Sequence, residues 1–181
     1  MDESIQILLI VVAIIVAIII AISIIVSKVN KKVMNTMFDN VYKVLKNIQE
    51  NIDGDSRILR CYTKTHDYYF ETPTKKYYIK IVNNPGNHEI CVNNALKWQL
   101  RKSLGDDRMY FVEGIEPLMR MEIEPSPKET KKIYIIYPNA RSLLKYINEC
   151  EMIFINPTTD VYGTNIITYA DFSENYEELN F

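Results

Sequence analysis

Residues 5–26 read IQILLIVVAIIVAIIIAISIIV, an apolar run interrupted only by Gln6 and Ser23 and free of charge throughout. About 18 such residues suffice for a helix to cross a bilayer core of roughly 30 Å. Ile and Val are mediocre helix formers in water, but in hydrocarbon the backbone must satisfy its own hydrogen bonds, and a helix does so. A buried core helix seldom needs this length. A cleaved signal peptide has a shorter apolar stretch of about 7–15 residues behind a positive flank. Here the flank is Met1-Asp2-Glu3-Ser4, which is acidic. The run is expected to be a permanent single-pass signal-anchor.

Outward from the run, Lys28, Lys31 and Lys32 follow within a few residues, and no Lys or Arg precedes it. Lys and Arg close to a span mark its cytoplasmic end. The remainder of the chain is therefore expected in the cytoplasm, with residues 1–4 outside. The opposite topology would make the domain an extracytoplasmic envelope or virion protein. Each of the three lysines could also gain about 1 kcal/mol from anionic headgroups, although a topology signal alone accounts for them.

Removing the anchor leaves about 150 residues, enough for one core. All 21 Lys and Arg lie there, with all but Asp2 and Glu3 of the 23 acidic residues, so the segment is formally neutral. It lacks the basic field of a dedicated nucleic-acid binder, and nucleic acid is not an expected partner. Cys61, Cys91 and Cys150 are scattered and odd in number, which fits reduced thiols better than a disulfide framework.

Met34, Phe38, Val41, Leu45, Ile48 and Ile52 recur at threes and fours, predicting an amphipathic helix that ends at Asp53-Gly54-Asp55. Its stripe either packs on the domain or pairs with a second copy as a short stalk; it is too short for the usual 3–4 heptads of a coiled coil, and packing is preferred. Residues 57–63, 67–71 and 76–82 are rich in aromatic and β-branched side chains and read as three strands, with a turn at residues 72–75 and a loop at 83–87. Residues 89–104 are read as a helix stopping at Gly105. A short strand at 109–112 and an acidic, Pro-containing loop at 113–130 come next. Residues 131–137, KKIYIIY, are continuously apolar between lysines and Pro138, the pattern of a central strand covered on both faces. A helix at 139–150 and strands at 152–155 and 164–169 complete the reading. The expected fold is an α/β (α+β) domain around one mixed sheet, behind one transmembrane helix.

Asp67 opens the second of these strands and Lys80 lies on the third, with Glu71 on the hairpin between them. With the order helix, three strands, helix, strand, these positions resemble the core of the restriction-endonuclease-like superfamily, the PD-(D/E)xK nucleases and their inactive relatives, over roughly residues 35–155. The resemblance implies a divalent metal, Mg²⁺, held by the acidic residues, with a lysine polarising the phosphate or the water; Asp67, Glu71 and Lys80 are then the candidates for catalysis, and Asp67 and Glu71 for the metal. The residue two before Lys80, where the second acid belongs, is Tyr78. A site short of one carboxylate lacks a hard oxygen ligand that Mg²⁺ requires.

Outside the resemblance, His66 and His88 have no metal-ligand spacing, and no phosphate-binding glycine loop or nucleophile elbow occurs, so no cofactor is expected. Thirteen tyrosines include Tyr68-Tyr69 and Tyr77-Tyr78, placed to face each other across a hairpin. Such pairs stabilise a sheet, and exposed Tyr also suits a protein interface. The organisation expected is residues 1–4 outside, 5–26 in the membrane, 27–56 as a juxtamembrane helix, 57–170 as the domain and 171–181 as an acidic tail. The function expected is a non-catalytic interaction or scaffold module whose partners are the bilayer and a protein or a second copy; a membrane-anchored, degenerate nuclease is the alternative.

Overall fold

The computed structural model describes residues 3–61, 63, 65–84, 88–94, 97–103, 109–112, 123, 125–148 and 151–179, with backbone only for 3, 4, 8, 97, 101–103, 109–112 and 178. Cys150, Gly105, residues 85–87 of the expected loop at 83–87 and most of the acidic loop expected at 113–130 lie outside the described residues. The chain divides into two compact units, Met1–Asn40 and Val41–Phe181.

The first unit is the larger part of α1 (Glu3–Asn51), a helix long and apolar enough to cross a membrane near the N-terminus. Every described side chain from Ile5 to Thr36 is exposed. The helix does not break at the polar residues that follow the apolar run. Ser23 Oγ donates to Ile19 O (2.9 Å) and Thr36 Oγ1 to Lys32 O (3.0 Å), local bonds that leave the backbone ladder intact.

The second unit begins with the end of α1. Val41, Leu45 and Ile48 are buried there, three members of the predicted stripe at the spacing of one helix face. The Tyr42 ring stacks on Tyr68 with centroids 6.3 Å apart, so this segment packs on its own domain. Gly54 ends the helical segment with φ +99°, and a Cβ on it would sit 2.9 Å from Pro73 Cγ, which reserves the position for glycine. Gln49 Nε2 donates to Ser56 O (2.7 Å) across the turn.

Among the described residues, ten strands form two mixed five-stranded sheets. The first runs β1 (Arg57–Arg60), β2 (Tyr68–Glu71), β3 (Lys75–Asn83), β7 (Glu129–Tyr137), β10 (Asn165–Thr168), antiparallel through β3 and parallel beyond it. The second runs β6 (Met109–Val112), β5 (Lys97–Ser103), β4 (Glu89–Asn94), β8 (Leu143–Tyr146), β9 (Met152–Phe154), with β4–β8 its one parallel pairing. The sheets meet through Val82, Tyr134, Ile136 and Ile166 of the first and Ile90, Val92, Trp98 and Leu143 of the second. The other face of the first sheet carries Tyr68, Phe70, Tyr77, Ile79, Ile133 and Ile135, all fully buried.

The α+β class with mixed sheets behind an apolar helix is as expected, but two expected helices are strands, which makes two sheets of one. Of residues 89–104, 89–94 are β4 and 97–103 are β5, an antiparallel pair in which Ile90 opposes Leu100 and Val92 opposes Trp98. Residues 139–150 hold β8, whose Leu143 and Leu144 are both buried although they point to opposite faces. A short run buried on both faces carries neither the helical nor the alternating period. The expected acidic tail is also folded. Thr168 caps the short helix α2 (Tyr169–Glu174) and accepts from Asp171 N. Phe172 and Leu179 are buried, and Lys131 Nζ donates to Leu179 O (3.2 Å).

Candidate functional site

Strand register places the candidate residues in transverse rows on the face of the first sheet that meets the second. One row holds Arg57, Glu71, Lys76 and Thr130; the next Leu59, Tyr69, Tyr78 and Lys132; the third Lys80 and Tyr134, with the Asp67 side chain beside Lys80. The burial pattern records where cover begins. In β3 burial alternates up to Ile81 and becomes continuous with Val82; in β7 it is continuous from Ile133 to Ile136. A sheet with one face covered alternates, and one with both covered does not. In the first two rows the residues of β2, β3 and β7 are thus half-buried while Arg57 and Leu59 on the edge strand β1 are exposed, and Tyr134 lies in the core between the sheets.

Asp67 and Lys80 come together as their positions predict. Lys80 Nζ lies 3.1 Å from Asp67 Oδ1, and Ile81 N donates to Oδ2 at 2.7 Å. Asp67 stands one residue before β2, so the pairing that would have satisfied Ile81 N from a longer β2 is supplied by its carboxylate. Its backbone is bonded on both sides: Asp67 N donates to the O of Ile79 (2.8 Å), the residue that Tyr68 opposes, so the chain shifts by one residue against β3 here, and Cys61 N donates to Asp67 O (2.7 Å). Asp67 is 8% exposed. Both oxygens are engaged, the state expected of a buried carboxylate.

Glu71 does not join them. It lies two rows away, about 13 Å along the strand at roughly 3.3 Å per residue, too far to share one ion with Asp67. Lys128 Nζ binds it at 2.7 Å and also donates to Thr72 O (3.1 Å), while Tyr69 OH donates to its other oxygen (2.8 Å). The hydrogen bond from Lys128, followed by that from Tyr69, holds the Glu71 carboxyl below its usual range. Burial and the bond to Glu71 push the Tyr69 hydroxyl far up. Among the described residues no three His, Cys, Asp or Glu side chains gather as a metal site.

Tyr78, in the position of the missing acid, packs between two aromatic neighbours. Tyr69 meets it edge-on at 5.3 Å and His66 at 5.0 Å. Tyr69–Tyr78 is the cross-hairpin tyrosine pair the sequence anticipates; Tyr77 instead faces Phe70, with the rings stacked at 5.8 Å, and Tyr68 faces Ile79. His66 is fixed by two threonines: Thr63 Oγ1 donates to His66 O (2.7 Å), and Thr65 Oγ1 lies 3.0 Å from Nδ1. Burial holds the imidazole below its usual range, with Asp67 opposing and Lys80 reinforcing the shift. His88 is elsewhere, leading into β4 with its N–H on Asn84 Oδ1 (3.2 Å).

Two contributors were not anticipated. Lys128 sits in the segment read as an acidic loop, and nothing local pairs it with Glu71. Asn84 is 1% exposed and donates through Nδ2 to His88 O and Asn139 O, each at 2.9 Å; the run Asn83-Asn84-Pro85 was its only signal. Of the cysteines, Cys91 is fully buried and closed to solvent, and burial raises the Cys61 thiol, the opposite of the shift a nucleophilic thiol needs. Lys28, Lys31 and Lys32, which follow the apolar run, are exposed on α1. Compared with known proteins, the chain matches no family model, no curated protein and no solved structure.

Proposed function

We propose that this chain is a bitopic membrane protein whose α+β domain faces the cytoplasm and acts by contact with a protein partner rather than by catalysis. The observation that carries this reading is the exposed apolar surface of α1 over residues 5–26, which only a bilayer or another apolar surface can cover. The lysines that follow it support the orientation. The titratable groups of the domain support contact over chemistry, because Asp67, Lys80, Glu71 and Lys128 are engaged with one another. Tethering raises the encounter rate with any partner confined to the same membrane. The rows bearing exposed Arg57 and half-buried Tyr69, Lys76, Tyr78 and Lys132 have the composition of a contact surface, since Tyr and Arg are enriched in interfaces.

The test is twofold. The full chain stays in the membrane pellet at alkaline pH, and a cysteine added after Phe181 reacts with an impermeant maleimide only once cells are opened. Labelling of intact cells would reverse the topology and favour the extracytoplasmic alternative. The nuclease alternative keeps one observation in its favour, the approach of Lys80 to Asp67. Cleavage of DNA or RNA that depends on Mg²⁺ or Mn²⁺ and is lost in Lys80→Met would establish it.

A further inference from the structure

Where α1 passes from apolar to basic sequence, its surface is organised. At 3.6 residues per turn, Ile20, Ile24, Ser27, Lys28 and Lys31 fall within about 100° of the helix circumference. With Ser23 they line one open groove along the helix. The basic end begins at Lys28, about 6 Å beyond Ile24 at 1.5 Å per residue, the step from the last apolar turn to the headgroup layer. The hydroxyls differ as well. Ser23 and Thr36 donate to carbonyls four residues earlier, whereas among the described residues the Ser27 hydroxyl makes no such bond and remains available to a ligand.

We infer that this groove holds one anionic phospholipid, an acyl chain lying along Ile20 and Ile24 and the phosphate held by Ser27 Oγ, Lys28 Nζ and Lys31 Nζ. The inference rests on the membrane-anchor reading and deepens it. Charge selects the occupant: two ammonium groups and a hydroxyl donor with no carboxylate among the groove residues favour a net-negative headgroup over a zwitterionic one. The face also confines the effect, because Lys32 belongs to neither the groove lining nor its arc. The bound lipid neutralises the basic end of the span and fixes its rotation at the interface.

The test is native mass spectrometry of the full chain in detergent micelles, titrated with phosphatidylglycerol and phosphatidylcholine of identical acyl chains. One phosphatidylglycerol should be retained at least tenfold better than phosphatidylcholine, each groove lysine contributing about fivefold. Lys28→Gln with Lys31→Gln should bring the two lipids to near parity, and Ser27→Ala should weaken retention severalfold. Equal retention by the unaltered chain, survival of the preference in the double variant, or an equal loss in Lys32→Gln would each overturn the inference, the last by indicating diffuse attraction. Failure of the anchor reading looks different: the chain would leave phosphatidylcholine vesicles at alkaline pH.

Discussion

Replacing Asp67 by alanine removes one acceptor and strands two donors of unequal cost. Ile81 N–H, now bonded at 2.7 Å to Oδ2, is left in a buried strand without a partner, which costs about 1–3 kcal/mol. Lys80 loses its counter-charge at 3.1 Å, but its side chain is 24% exposed and can hydrate, so this adds less than about 1 kcal/mol. The expected loss is about 2–3 kcal/mol for Asp67→Ala. Asp67→Asn keeps an acceptor for Ile81 and should cost about 1 kcal/mol; Lys80→Met leaves the carboxylate on Ile81 N–H and should cost no more. At about 3 °C per kcal/mol for a domain of this size, Tm falls by roughly 6–9 °C in Asp67→Ala and about 3 °C in the others. Thermal unfolding of the full chain in mild detergent, followed by Trp98 fluorescence, measures it, because Trp98 is 7% exposed and packs against Tyr134 in the core between the sheets. A Tm for Asp67→Ala within 2 °C of the unaltered chain would refute the reasoning. So would a Lys80→Met variant as unstable as Asp67→Ala, since the pair and not the backbone bond would then be the main support.

Gly54→Ala meets both a positive φ and Pro73 Cγ and should lower stability by about 1–2 kcal/mol, read as a shifted denaturant midpoint. Leu45→Ala should cost about 2–4 kcal/mol because its side chain is fully buried, whereas Lys43→Ala on the exposed side of α1 should stay within about 0.5 kcal/mol. Because the folded imidazole of His66 is held below its usual range, the unfolded chain binds more protons as pH falls below about 6.5. Stability should therefore be complete above that pH and decline from there toward the lower folded value, and His66→Gln should flatten this part of the denaturation profile. Phe154 is 75% exposed on the edge strand β9; Phe154→Ser should leave Tm unchanged and reduce aggregation by light scattering.

Legibility in the sequence followed how much each pattern depends on distant residues. Residues 5–26 needed only their own composition, because bilayer thickness sets the length. The β2–β3 hairpin was legible because Tyr68 and Phe70 are buried and Tyr69 and Glu71 half-buried, the alternation of a sheet with one covered face. β4 failed that test: Ile90, Cys91 and Val92 are buried in succession, and such a run looks the same in a helix. Asn93-Asn94, which break the apolar run at the end of β4 where its register to β5 shifts, were the signal against a helix. In the site, Asp67 and Lys80 were identifiable as a pair, yet the role of Asp67 in completing the β3 ladder depends on β2 ending at Tyr68, a boundary no local residue announces. The Glu71–Lys128 bond joins residues 57 apart in sequence and has no local trace.

Position 78 is where the nuclease alternative can be tested by addition instead of loss. Tyr78 lies two residues before Lys80 on the same face of β3, so it is the diagonal neighbour of Asp67, about 7–8 Å away between backbones. A glutamate there could reach an ion held by Asp67, as Glu71 cannot. If the surroundings are a degenerate metal centre, Tyr78→Glu should regain Mn²⁺: at 1 mM and a Kd of about 10 μM, binding would stabilise the fold by about 2.7 kcal/mol, near 8 °C in Tm. If the surroundings are an aromatic brace, the substitution removes the edge-on contacts with Tyr69 and His66, worth about 0.5–1.5 kcal/mol each, and places a carboxylate among half-buried rings. We expect the second outcome, a Tm lowered by roughly 4–8 °C and unmoved by Mn²⁺. The reason is that both Asp67 oxygens are engaged: Oδ1 holds Lys80 and Oδ2 the Ile81 N–H, so a metal would have to compete with the lysine for Oδ1 or with the strand's own hydrogen bond for Oδ2. A rise of several degrees with Mn²⁺ would show that one of these partners yields to a metal, and the case for a purely structural Asp67 would fall with it.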